Sequence, residues 1–438
     1  MKAKRIIRIG LIILLAAILG GCIYLNGLMP IITGYSAKNL ASDVLVSGRE
    51  QADVEATDLD FSFIRFARNK VDRANKTVTS RFLWSKSTAV YCEGYGVTLL
   101  RGKNRADFAQ KTLPKKPSAV AGLEAGDSAF TARLKPVAEA LVDKQAYGGT
   151  PFAFVVLHDG AVVAERYREG FSAQTKLLSW SMAKSFTSAV LGLMVGDGKV
   201  DLETQMNVPL WQGDRRKAIT LKNVIQMQSG LAWNEDYGTR SDVNLMLFKQ
   251  ADMGLYAMSK PLEHEPGTFW YYSSGSTNIV MRYLRDRFAS PDVFMTYIHE
   301  RLFAPLGFQD AVFEPDMSGT PIGSSYVYAT ARDFARFGQL YLDDGCIGEE
   351  RILPEGWVAF TATPASASSG QYGASFWLNR SKTYPDAPED MFECRGHDGQ
   401  EIFIIPSRNL VVAILGYSPK PDRTINFNAL LRDILAAE

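Results

Sequence analysis

Apolar and polar positions divide this chain into three regimes. Residues 9–36 carry no charge, and within them IGLIILLAAILGGCIYLNGLM is apolar over a length that crosses a bilayer as a helix. Residues 38 to about 125 are mixed. DFSFIRFARNKVDRANK has a helix-like spacing, AVYCEGYGVTLL is rich in β-branched and aromatic residues and predicts a strand, and KTLPKKPSAVAGLEAGDSA reads as a Pro/Gly/Ala-rich connection. The main domain opens with a helix, TARLKPVAEALVDK. Two β-rich runs follow, 152–157 and 161–167, and the His158-Asp159-Gly160 between them is a hairpin signal. The same device returns near the far end, where runs 402–405 and 410–415 flank Pro406-Ser407-Arg408-Asn409, and a helix, NFNALLRDILAAE, closes the chain.

Helical periodicity dominates between the two hairpins: residues 185–197, LKNVIQMQSG, SDVNLMLFKQADMGL, TNIVMRYLRDRF, VFMTYIHERLFAPLG and ARDFARFGQLYLDDG. Strands at both ends of a domain with helices between them predict an α/β (α+β) fold. Its antiparallel sheet is assembled from distant segments and flanked by helices, with a mainly helical lobe inserted. A cleft between sheet and lobe is the natural pocket.

Composition narrows the function. Lys and Arg number 48 against 47 Asp and Glu, a formal net charge of +1, so no field attracts a polyanion and nucleic acid is not expected as a partner. Hydrophobic residues at 46% and charged residues at 22% are ordinary globular usage for a 438-residue chain. Cys22 lies in the apolar run, and Cys92, Cys346 and Cys394 have neither CxxC nor metal spacing. One bridged pair and isolated buried thiols are both compatible with them.

The basic residues Lys2, Lys4, Arg5 and Arg8 before the apolar run place its start in the cytoplasm and the bulk of the chain outside. The expected division is a cytoplasmic tail at 1–8, a single-pass signal anchor at 9–31, an accessory region and linker at 32–125, and the main domain at 126–438. A cleaved signal peptide is the rival, and LGGC at 19–22 also resembles a lipoprotein processing site. Against lipidation, Ile23, Tyr24 and Leu25 continue the apolar run.

The candidate chemistry begins at Ser181 and Lys184, three apart on one face of a helix expected to start near Ser181. A serine hydroxyl is a weak nucleophile until a base takes its proton. Lysine serves only when desolvation or positive charge lowers its pKa from about 10.4. The apolar neighbours Leu177, Leu178, Trp180, Phe186 and Val190 suit such a site. Taken alone, the pair reads more readily as an N-cap serine followed by a surface lysine. Two further stretches join it. In PGTFWYYSSGSTNIVMRYL, Tyr272 precedes a helix and offers a phenol for proton relay; in CRGHDGQEIFII, His397-Asp398-Gly399-Gln400 stands just before a strand.

Taken in order, these motifs resemble the serine β-lactamase and penicillin-binding-protein superfamily, in its class C-like branch, over residues 130–435. That branch includes D-alanyl-D-alanine carboxypeptidases, esterases and 6-aminohexanoate-dimer hydrolases. The Ser-x-x-Lys motif falls on Ser181-Met182-Ala183-Lys184, the Tyr-x-Asn motif on Tyr272-Ser273-Ser274, and the Lys-Thr-Gly or His-x-Gly motif on His397-Asp398-Gly399; LKNVIQMQSGL, residues 331–345 and YGASFW add to the likeness. The resemblance implies a cofactor-free, metal-free acyl-enzyme mechanism. In it Ser181 is the nucleophile, Lys184 the base, Tyr272 the proton relay, and the backbone N–H groups of Ser181 and Gln400 the oxyanion hole. Ser274, His397, Asp398 and Gly399 would contact a small-molecule or short-peptide substrate.

Two departures redirect the substrate expectation. Ser274 replaces the usual Asn, and Asp398 replaces the usual Thr, adding a carboxylate where a penicillin-like carboxylate would sit. The expected activity is therefore hydrolysis of an ester or linear amide on the outer side of a bacterial inner membrane. A D,D-carboxypeptidase acting on peptidoglycan stems is the enzymatic rival, and a noncatalytic cell-envelope binding protein is the rival of another class.

Overall fold

A computed structural model describes residues 2–102, 113, 122–419 and 424–438. Most of the expected linker lies outside them. The first helix, α1, runs from Lys2–Leu45 without a break. Its apolar residues are exposed as far as Leu25, and from Met29 onward it is buried against the rest of the protein. The helix thus continues past the expected boundary at residue 31, and its last turns belong to the globular core. Gly34 permits that approach, because a Cβ there would lie 2.6 Å from Arg101 Nη2 and 3.0 Å from the Cβ of Phe248.

A short helix α2 (Gln51–Ala56) leads to a four-stranded antiparallel sheet in the order β1 (Arg68–Asp72), β2 (Thr77–Phe82), β3 (Ser85–Cys92), β4 (Gly96–Leu99). The helix-like reading of residues 60–76 fails here. Only Ile64–Phe66 make a helical turn, and the stretch after it is β1, whose backbone groups pair with β2 from Arg68↔Arg81 to Asp72↔Thr77. AVYCEGYGVTLL folds as a hairpin, not one strand, turning at Gly94 with φ +77°.

Charge burial locks α1 to the rest. Lys38 and Glu314 form an ion pair at 1% and 0% exposure. Lys38 Nζ also donates to Val97 O at 2.8 Å, while Glu314 Oε1 accepts from Val97 N at 2.7 Å and Oε2 from Ser42 Oγ at 2.9 Å. Every charge is satisfied, which makes the pair tolerable inside the core.

The main domain follows the expected plan. Helix α3 (Ser128–Val142) precedes the hairpin β5 (Pro151–His158) and β6 (Ala161–Tyr167), and β7 (Lys176–Leu178) leads into α4 (Ala183–Gly196). The lobe carries α5 (Leu221–Ile225), α6 (Asp242–Lys249), α7 (Met253–Met258), α8 (Ser274–Arg285) and α9 (Pro291–Ile298). The predicted helices over 221–230 and 241–255 are thus shorter or split. Then come β8 (Val312–Phe313), β9 (Val327–Thr330), α10 (Ala331–Leu342), the small hairpin β10 (Cys346–Ile347) and β11 (Glu350–Arg351), and α11 (Trp357–Thr361). The chain ends with β12 (Trp377–Leu378), β13 (Phe392–Arg395), β14 (Glu401–Ile405), β15 (Leu410–Gly416) and α12 (Phe427–Ala437).

Six strands form one antiparallel sheet in the order β12-β13-β14-β15-β5-β6, so both hairpins share it, with β15 pairing β5 from Leu410↔His158 onward. Alternate residues feed two cores. Ala153, Val155, Leu157, Ile402, Ile404, Val411 and Ala413 join the large core with α1, α4 and α10, while Phe154, Val156, Phe403, Ile405, Val412 and Ile414 pack against α3 and α12. Burial on both faces explains why these strands read as continuous apolar runs. The accessory sheet contributes Val78, Ala89, Val90 and Val97 to the large core. No disulfide joins any of the four cysteines, all of which are among the described residues.

Candidate active site

β7 pairs with β9 and delivers the chain to Ser179, whose hydroxyl accepts from Val327 N at 3.0 Å. Trp180 then takes φ +43°, a left-handed backbone unusual for a bulky residue, and it is 5% exposed. Its indole is wedged between Tyr35 of α1 (6.2 Å between ring centroids, stacked), Tyr326 (5.8 Å) and His397 (5.5 Å). Packing on three sides holds a costly conformation, and strain of this kind concentrates at functional sites. A 3-10 turn over Trp180–Met182 follows and runs into α4 at Ala183, so the expected helix start is displaced by two residues and Ser181 sits in the turn itself.

Lys184 is 1% exposed, and its Nζ donates to Ser181 Oγ at 3.0 Å, Ser274 Oγ at 3.0 Å and Ser324 O at 3.1 Å. Three acceptors use all three ammonium protons. Burial nevertheless lowers its pKa from 10.5 to about 8, with the Glu235 carboxylate pulling the other way.

Tyr272 stands on the next wall. Its hydroxyl hydrogen-bonds Ser181, Lys184 Nζ lies 4.8 Å from its ring centroid, and burial with the nearby Glu235 charge drives its pKa well above the phenol's ordinary value. The ring is held by Trp377 (5.3 Å) and Tyr372 (5.9 Å). Ser273 caps α8, accepting from Ser276 N at 3.2 Å, and thereby sets the entry of Tyr272 and Ser274. Asn278 Nδ2 donates to Ser274 O and to Ser324 Oγ, both at 2.9 Å, joining the two segments that receive Lys184.

Ser274 therefore keeps contact with the lysine despite replacing an amide. It also reaches a group the sequence reading missed: its hydroxyl donates to Glu235 Oε1 at 2.5 Å, and its backbone N–H donates to Oε2 at 2.9 Å. Trp233 Nε1 donates to the same carboxylate at 2.5 Å. Glu235 lies in the polar loop NEDYGT between lobe elements, where no periodicity marks it.

The opposite wall is the turn before β14. His397 stacks on Tyr237 (5.2 Å, 21° between planes), and its Nε2 lies 3.2 Å from Asp398 Oδ1. Asp398 has φ +59° and its side chain is 4% exposed; burial raises its pKa, with His397 opposing. Gly396 must be glycine-sized, because a Cβ would meet Ser179 O at 2.5 Å. Gln400 turns its carboxamide toward Gly416, donating to its carbonyl at 2.6 Å and accepting from its N–H at 2.9 Å, which secures the turn to β15. Arg395, also missed, lies over Trp377 at 4.8 Å and pairs with Glu393.

A cavity of about 390 Å³ opens between these walls, lined by Ser181, Tyr237, Tyr272, Trp377, Arg395 and His397 among others. Of the expected residues, Ser181, Lys184, Tyr272 and Ser274 form one hydrogen-bonded cluster, and His397, Asp398 and Gly399 face Ser181 across the cavity.

A six-stranded antiparallel sheet with helices on both faces, an inserted helical lobe and a cavity at their junction is the beta-lactamase/transpeptidase-like architecture. It is the scaffold of a hydrolase superfamily that includes esterases, amidases and carboxypeptidases. The chain belongs to the beta-lactamase family, whose family model matches residues 135–436. A 6-aminohexanoate-dimer hydrolase of Paenarthrobacter ureafaciens is 25% identical over 309 residues, covering 65% of this chain and 76% of that protein. Among solved structures, a Bacillus anthracis protein described as a 6-aminohexanoate-dimer hydrolase superposes with a TM-score of 0.60 at 21% identity, over 74% of this chain and 88% of that one. EstA from Arthrobacter nitroguajacolicus gives a TM-score of 0.53 at 16% identity, over 72% and 99%.

Proposed function

We propose that this protein is a membrane-anchored serine hydrolase that cleaves an ester or linear amide through an acyl-enzyme on Ser181. The observation that carries the reading is the buried Lys184 amine, 3.0 Å from Ser181 Oγ with its pKa brought down to about 8. A lysine so placed loses its proton near neutrality and can accept one from the serine.

In the proposed sequence, neutral Lys184 takes the Ser181 proton as Oγ attacks the substrate carbonyl. The oxyanion is met by the backbone N–H groups of Ser181 and Gln400. The C–O or C–N bond breaks as Tyr272 passes a proton to the leaving group and regains one from Lys184. Water, deprotonated by the same relay, then attacks the acyl-enzyme and frees the acid. The likeness to a 6-aminohexanoate-dimer hydrolase supports a linear amide or ester, as does the Asp398 carboxyl beside the cavity.

The anchor is α1. It is the one helix among the described residues long and apolar enough to cross a membrane, with a mean hydropathy of 2.3 in its most apolar window and none of that window buried. The continuity of α1 into the core favours retention of the helix over cleavage. In this reading the main domain is extracytoplasmic, at a bacterial inner membrane.

Intact-mass analysis with a fluorophosphonate and a panel of activated esters tests the reading. One adduct on the wild type, none on Ser181→Ala, and loss of ester turnover in that variant are expected. Undiminished turnover by Ser181→Ala overturns it, and a stable penicillin adduct shifts the substrate to peptidoglycan stems.

A further inference from the structure

Four large apolar side chains lie open to solvent at one end of the accessory sheet: Phe63 (57% exposed), Phe66 (60%), Leu83 (64%) and Trp84 (59%). Leu83 and Trp84 form the tip of the β2–β3 hairpin, closed by Phe82↔Ser85. The helical turn before β1 lies against the same hairpin, with the Phe63 ring 6.5 Å from that of Phe82. This rim stands where α1 leaves the protein, since Trp84 Nε1 donates to Asn26 Oδ1 at 3.2 Å. N-terminal to Asn26, the described side chains of α1 are exposed back to Ile7, about 30 Å of helix and the thickness of a bilayer core.

The second observation is a row of like charge. Arg68 pairs with Arg81, and Arg81 with Lys86, so three exposed cations lie side by side on one face of three strands. Cross-strand like charges repel. None of the three has an ion-pair partner among the described residues, whereas Arg65 nearby pairs with Asp60 at 3.4 Å. The row stands two residues behind the hairpin tip, roughly 7 Å along the strand. Apolar tips ahead of a cationic row match the layering of a bilayer surface, with acyl chains and carbonyls first and phosphates behind, and a tryptophan with a polar edge suits the boundary between them.

We infer that the rim Phe63, Phe66, Leu83 and Trp84, backed by Arg68, Arg81 and Lys86, docks into the surface of the bilayer that holds α1, and that anionic phospholipid is its partner. This rests on the anchor reading above and goes beyond it. The accessory sheet becomes a second point of attachment, so the domain does not swing freely about one helix. The orientation is then set. Tyr35, which backs Trp180, lies nine residues beyond Asn26, about 13 Å farther along α1, so the site is held close above the lipid headgroups.

The test uses the full chain in vesicles of phosphatidylcholine and phosphatidylglycerol carrying bromine at acyl positions 6 and 7, with tryptophan fluorescence as readout. Bromolipid should quench the wild type, and Trp84→Ala should abolish most of the quenched component without changing ester turnover. The triple variant R68Q/R81Q/K86Q should lower the quenching severalfold in phosphatidylglycerol vesicles, to the level of phosphatidylcholine alone. Equal quenching of wild type and Trp84→Ala overturns the inference, as does a Trp84 shielded from bromine by a second copy of the chain. Carbonate extraction keeps the two readings apart. Resistance to carbonate without Trp84-dependent quenching removes the docking surface and leaves the anchor; release by carbonate removes both.

Discussion

The hydroxyl of Ser274 donates to Glu235 Oε1 at 2.5 Å while accepting from Lys184 Nζ at 3.0 Å. Ser274 thus connects the buried lysine to a carboxylate thirty-nine residues earlier in the chain. The carboxylate holds the lysine pKa up against burial, which pulls it down.

Removing that charge should move activity along the pH axis. Glu235→Gln takes away an anion that favours protonated Lys184, so the lysine pKa falls below about 8. The ascending limb of kcat/KM reports the neutral amine and should shift to lower pH. A limb that stays in place, or moves up, contradicts the relay.

Lys184 also costs stability. Its folded pKa of about 8 lies below the ordinary 10.5, so from about pH 8 to 10.5 the unfolded chain binds a proton that the folded chain does not, and stability rises with pH over that window. Below pH 8 the penalty is full, about 3 kcal/mol before lost hydrogen bonds are counted. Lys184→Met should therefore be inactive and more resistant to thermal unfolding at pH 7, with the advantage shrinking toward pH 10. Melts of both proteins at the two pH values decide it.

Tyr272→Phe keeps the ring between Trp377 and Tyr372 and removes only the hydroxyl. If that hydroxyl relays the leaving-group proton, kcat should fall by about 10²–10⁴ with little change in KM. Steady-state kinetics on an activated and an unactivated ester sharpen the test, because a good leaving group needs the proton less and should lose less rate.

The Lys38–Glu314 pair should behave as a buried charge pair does. Glu314→Ala leaves an uncompensated ammonium at 1% exposure and should destabilise the protein by about 3–5 kcal/mol. The double variant Lys38→Met/Glu314→Leu should recover most of that loss. Comparable damage from the single and double variants in denaturant titrations would mean that packing, and not charge, holds α1 in place.

Much of this architecture is local enough to read from residues alone. Asp159-Gly160 set one hairpin, the doubly apolar runs at 402–405 and 410–415 marked strands buried on both faces, and Ser181 and Lys184 lie one turn apart whatever the rest of the chain does. Residues 60–76 misled, because their spacing suits a helix while the hydrogen-bond partners that decide the matter sit on β2. The expected arrangement of Tyr272 and His397 around the serine came from motif order; composition carries no distance.

Glu235, Arg395 and Tyr35 show what tertiary structure alone decided. Glu235 lies in a polar loop and acquires its role only when α8 brings Ser274 to it; Arg395 was hidden in an ordinary strand; Tyr35 fell in the accessory region just past the expected anchor, and only its ring stacked on Trp180 ties it to the site. Periodicity and turn chemistry act across a few neighbouring residues and are written into the order of side chains. The depressed pKa of Lys184, the left-handed turn at Trp180 and the seating of α1 arise from desolvation and packing by segments far apart in the chain, and they exist only once the cores have closed.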